Sequence, residues 1–225
     1  TFNTGRTISD DALIGANFQS TGTLHQTGSH MWIMSDDYSL GEFGTGTHNI
    51  SSGSSASTSR GMFIGTGTTG VGTMNVDGNS AQANASLDFY VGYFGNGTLN
   101  IRNGADVTTP SLTVAAISGA TGTVLVDGPG STLTGGVQIW NIGNGGHGEM
   151  TISNGAVVSS ANVQTASSND SDAEVTITGT GSQWGSTGSY YIGRNGMGLL
   201  TVEQNGMLSA TASIVLGLGP TGMGD

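Results

Sequence analysis

Asp77 and Asp127 lie 50 residues apart in the chain. Paired carboxylates can hydrolyse a glycosidic bond, one as acid and one as base. If the chain winds in coils of half that length, the two acids share a column at about 9 to 10 Å, which suits an inverting pair. Each is followed by glycine, however, at a point where other copies of the pattern carry Thr, Ser or Asn, so both read as turn stabilisers. Asp10-Asp11 and Asp36-Asp37 read as solvated loop acids. A lyase would need several carboxylates around calcium and a base to take a proton. No such set converges here. His25, His30 and His48 could offer imidazoles to a metal from adjacent coils, but no helical spacing brings them together. His147, within Gly-Gly-His-Gly, is expected in an exposed turn. Residues 143–151 have the glycine content of a calcium-binding nonapeptide without its Asp, and calcium is rejected there. Residues 65–70 mimic a phosphate loop but lack its lysine and helix, so they read as a corner. Tyr38, Phe63, Phe89, Tyr90, Trp140, Tyr190 and Tyr191 recur near one strand. About half are expected in the core and the rest on an outer face, where rings can stack on sugars. No catalytic, cofactor or metal residue is assigned.

What positions these residues is a repeat. Short segments beginning at Gly22, Gly46, Gly72, Gly97, Gly122, Gly148, Ala173 and Gly198 follow one another at intervals of 24 to 26 residues. Two residues into each lies the first core column: Leu24, Met74, Leu99, Val124, Met150, Val175 and Leu200, interrupted by His48. Two further on lies the second: Ile50, Val76, Ile101, Val126, Ile152, Ile177 and Val202, interrupted by Gln26. Period-two alternation of this kind marks a strand with one buried face. Each strand then stops at a turn column, comprising Gly28, Gly53, Asp77-Gly78, Asn103-Gly104, Asp127-Gly128, Asn154-Gly155, Gly179 and Asn205-Gly206. Glycine there accepts positive φ, and Asn or Asp steadies a tight turn. The distance from strand start to turn glycine alternates between a shorter and a longer form, which suggests duplication of a two-unit cassette.

A unit of this size cannot bury its apolar face alone, so copies must stack. Like on like gives parallel strands. A propeller blade would be longer, and a sandwich of hairpins would need no strict period. The expected fold is all-β, a right-handed parallel β-helix or β-solenoid of about nine coils with about 25 residues per coil. Residues 1–225 form one such domain: irregular coils over 1–60, regular repeats over 61–217 and the start of an incomplete coil over 218–225.

Composition narrows the function. The chain has 225 residues with 41 Gly, 3 Pro, no Cys, 8% charged residues and a formal charge of -11, with Arg6, Arg60, Arg102 and Arg194 its only basic side chains besides histidine. Nucleic-acid binding is excluded, since phosphates demand clustered cations. Anionic membrane surfaces are disfavoured too, and no apolar run is long enough to span a bilayer. Disulfides, thiol nucleophiles and cysteine metal sites are absent.

The segments at residues 91–105 and 142–156, with Gly-Asn-Gly before the strand and Asn-Gly-Ala after it, resemble the repeat of type V autotransporter passengers and PEP-CTERM-associated surface proteins. Residues 122–131 and 175–184 resemble its other half. The resemblance covers residues 60–217 well and the first 60 loosely. It implies a right-handed β-helix, export across a bacterial envelope and an extracellular or cell-surface place, with no catalytic residue. The function expected is that of an extracellular structural or adhesive solenoid that assembles end to end. The alternative is a polysaccharide-processing or glycan-binding β-helix of the lyase or tailspike kind. The expected partners are other copies of the chain or further repeats of a longer one, with surface glycans beside them; cofactors are none. Gly222-Met-Gly224-Asp225 reads as the start of another repeat, so the chain is either part of a longer passenger or a fibre subunit whose broken coil is completed by Thr1-Phe2-Asn3-Thr4-Gly5 of the next copy.

Overall fold

The computed structural model describes residues 5–225. Among them there is no helix; the strands form three parallel sheets of nine strands each. Each coil contributes one strand to each sheet in turn. In the coil that begins at Thr45, a long strand Thr45–Ser51 turns into Ser55–Thr58 of the second sheet, then Met62–Ile64 of the third, and returns as Val71–Asp77 one level up. At the usual strand spacing, nine levels make a rod about 40 Å long.

The register is that of the sequence repeat. Gly22, Gly46, Gly72, Gly97, Gly122, Gly148, Ala173 and Gly198 pair in one unbroken column. A parallel ladder that matches identical positions keeps every inward side chain on one wall, so the core is a stack of columns. Leu99, Val124 and Val175 are fully buried in the first column, Val76, Ile101, Val126 and Ile177 in the second. Each such side chain contributes about 1.5–3 kcal/mol by leaving water. The glycines of the start column are required by space. A Cβ on Gly122 would sit 2.2 Å from the Val91 carbonyl oxygen of the coil below.

The turn column works differently. Gly28, Gly53, Gly78, Gly104, Gly128, Gly155 and Gly179 all have positive φ. Gly206 does not, contrary to expectation; its turn is one residue longer, and Gln204 and Asn205 take the left-handed conformation instead.

Three further expectations are corrected. Residues 5–60 are as regular in backbone pairing as the rest, because their departures from the apolar pattern are absorbed inside the core. Val202 pairs with Ile177 at an inward position yet is 44% exposed, and Leu200 is only half-buried, because the strand above them is confined to Met223–Gly224. Leu24 is half-buried near the other rim. The expected role of residues 1–4 in closing a neighbouring coil lies outside the described residues.

Candidate functional site

The two polar residues that break the core columns find each other. His48 and Gln26 are completely buried, as is Tyr38. Gln26 donates from Nε2 to the carbonyls of His30 at 2.7 Å and Ser55 at 2.6 Å, which turns its Oε1 toward His48 Nε2 at 3.1 Å. That oxygen can only accept, so His48 carries its proton on Nε2, and Nδ1 accepts from the Tyr38 hydroxyl at 2.8 Å. Trp32 meets the Tyr38 and His48 rings edge to face. Burial first, and then repulsion from His25, push the His48 pKa down to about 3. Burial likewise raises the Tyr38 hydroxyl well above its usual value. The network is sealed and neutral, and it plugs the N-terminal end of the core.

The histidines do not converge. His48 points inward, His25 lies outside against Asn49 Nδ2 at 3.2 Å, and His30 belongs to the second sheet, bonded to Thr7. No group of His, Cys, Asp or Glu among the described residues is arranged to hold a metal ion. His147 is not in an exposed turn. It opens the strand His147–Ser153, half-buried, because Gly146 completes the corner before it. It bonds Asp172 through Nδ1 and Glu149 through Nε2, the latter at 3.1 Å. These bonds, Asp172 first, raise its pKa. The loop acids have partners too: Asp36 pairs with Arg60 at 3.0 Å, Asp37 accepts from the Gly61 amide at 2.9 Å, and Asp10 accepts from Ser35 at 2.8 Å.

Asp77 and Asp127 stand two levels apart with Arg102 in register between them. Asp77 accepts from Asn103 Nδ2 at 2.7 Å, and Asp127 from Asn154 Nδ2 at 2.7 Å and Ser153 Oγ at 2.6 Å. Each acid thus ties its turn to the next coil's turn.

Beside this column runs a feature that the sequence reading missed. On the outer face of the long-strand sheet, Asn49, Asn75 and Asn100 are in register. Asn75 Nδ2 donates to Asn49 Oδ1 at 2.7 Å, and Asn100 Nδ2 to Asn75 Oδ1 at 2.8 Å. This ladder forms one side of a shallow groove of about 520 Å³, edged by Ser51, Ser52, Asp77 and Arg102. The signal was present as three Asn at one position of successive repeats, hidden among the many Asn of the chain.

The aromatics divide as expected. Tyr38, Phe89, Trp140 and Tyr190 are in the core, while Phe63, Tyr90 and Tyr191 face outward, half-buried. Phe63 and Tyr90 lie parallel at 5.2 Å, with Tyr93 against both. Their faces are turned to one another along the ladder, which leaves less ring surface for a sugar.

No protein-family model matches the chain, and no solved structure matches it. Over 200 aligned residues it is 31% identical to an uncharacterized lipoprotein, YdeK, of Escherichia coli strain K12, across 84% of this chain. The chain spans about 15% of the length of that curated relative.

Proposed function

We propose that the chain is a structural and adhesive β-solenoid of the bacterial cell surface, of the passenger type that its repeats resemble. The observation that carries this reading is the like-on-like ladder, which can be extended by any coil of the same register. The lipoprotein name of its relative supports a surface-associated place for a chain of this kind. At the upper rim, Ile214 and Leu216 pair with the buried Tyr190 and Ile192 but are themselves 50% and 59% exposed. Another coil of the same kind completes that rim. For isolated copies the outcome is end-to-end stacking into rods longer than one molecule, since open sheet edges and apolar columns both seek a continuation. Light scattering and negative-stain electron microscopy over a concentration series test this. Concentration-dependent lengthening that disappears on Ile214→Lys with Leu216→Lys supports the proposal. Discrete rods of one length at every concentration refute it.

A further inference from the structure

The groove beside the Asn ladder has the chemistry of a binding site, and we infer that it holds a neutral glycan strand laid along the solenoid axis across the coils that carry Asn49, Asn75 and Asn100. The inference stands apart from end-to-end stacking and gives the adhesive part of the proposed function a ligand and an address.

Open hydrogen-bonding groups recur along the ladder. A side-chain amide has two N–H donors and an oxygen with two lone pairs. Within the ladder Asn75 uses one donor on Asn49 and one lone pair on Asn100. One donor and one lone pair per amide therefore remain for solvent or ligand, and the pattern recurs at the strand spacing of about 4.8 Å. Adjacent hydroxyls of a sugar ring, each both donor and acceptor, are complementary to such pairs.

The rim adds two charged groups. Arg102 reaches only Asn100 Oδ1, at 3.5 Å, and forms no ion pair among the described residues although Asp77 and Asp127 flank it in register. Asp77 has one oxygen held by Asn103, and its other oxygen has no hydrogen bond among the described residues. The wall facing the ladder thus carries Ser51, Asp77 and Arg102 in successive coils, an open carboxylate oxygen beside a planar donor fork. One cation and one anion sum to zero. With a formal charge of -11 over the whole chain, an acidic polymer is repelled and a neutral polyhydroxyl ligand is not.

A glycan suits this groove better than a peptide. An extended peptide binds by joining a sheet edge and filling side-chain pockets. Here the backbone of the three strands is already paired on both sides, and the groove offers amides and hydroxyls in place of an edge.

Titration calorimetry of the full chain with cellohexaose, xylohexaose, mannohexaose and maltohexaose tests the inference, with polygalacturonate and an unstructured peptide as comparators. The expected result is binding of at least one neutral hexasaccharide, weakened tenfold or more by Asn75→Ala and by Arg102→Ala but unchanged by Tyr90→Ala on the third sheet. Arg102→Ala keeps the test decisive if loss of the ladder amide disturbs folding, because the one side-chain hydrogen bond of Arg102 among the described residues goes to Asn100. Failure of every neutral oligosaccharide to bind, stronger binding of polygalacturonate or of the peptide, or affinity indifferent to Arg102→Ala overturns it. End-to-end association measured in the same samples is expected to survive both groove substitutions, so the two proposals fail separately.

Discussion

Acid should open the N-terminal coils of this solenoid before the others, and His48 sets the threshold. The imidazole is sealed between Tyr38 and Gln26, and its pKa lies at about 3 in the fold against an ordinary 6.5. Above pH 6.5 neither folded nor unfolded chain protonates it, and it has no effect on stability. As pH falls below 6.5 the unfolded coil takes up a proton that the folded one refuses, so stability is lost progressively until the folded site itself titrates near 3. The full difference is about 3.5 units, or about 5 kcal/mol at 1.36 kcal/mol per unit. At pH 4 about 3 kcal/mol of it has been lost, an increase of a few hundred-fold in opening. Stability in stacked repeats is a sum of local terms, so the loss falls on the coils around His48 and leaves distant ones standing. Hydrogen exchange read by mass spectrometry at pH 7 and pH 4, corrected for intrinsic rates, compares the strand Thr45–Ser51 with Thr121–Asp127. Protection should fall a few hundred-fold more in the first than in the second. His48→Gln, whose amide can still bond Tyr38 and Gln26 but cannot ionise, should abolish the difference. Equal loss in both strands, or an unchanged difference in His48→Gln, would refute the reasoning.

Two buried tyrosines should respond oppositely to loss of the hydroxyl. Tyr38→Phe strips His48 Nδ1 of its donor and should cost about 1–3 kcal/mol, whereas Tyr190→Phe removes an oxygen that has no partner among the described residues and should be neutral or stabilising by about 1 kcal/mol; urea denaturation measures both. His147 should titrate above its ordinary value in NMR, and Asp172→Asn should bring it down. Its pKa is raised in the fold, so its contribution is complete below pH 6.5 and fades as pH rises through the higher folded value. At 40% side-chain exposure the effect on stability is small.

The backbone was legible in the sequence because a solenoid repeats its constraints. The start-column glycines, the turn glycines and the two apolar columns each recur once per coil, and the structure pairs the start and apolar columns as counted. What stayed hidden depended on which side chains meet across coils. Gln26 and His48 looked like breaks in a column, since nothing in a list of residues shows that one amide and one imidazole can satisfy each other beside Tyr38. The Asn ladder was masked for a related reason: Asn is common in this chain, and only the register shows that three of its residues share a wall. His147 was misplaced because glycines flank it on both sides, while the corner closes one residue earlier than they suggest.

The alternation between shorter and longer turns bears on how such a chain could change length over generations. The amides of Gly104 and Gly155, both in longer turns, are capped by the hydroxyls of Ser131 and Ser182 from the shorter turns one coil above, while Gly78 and Gly128 of the shorter kind reach the backbone carbonyls of Arg102 and Ser153. Two different joints therefore alternate from Gly78 to Gly155. Gain or loss of a single coil in this stretch would bring two turns of one kind together and leave a joint unmade. There a gene could lengthen or shorten the rod cleanly only in steps of two coils, about 10 Å at a time.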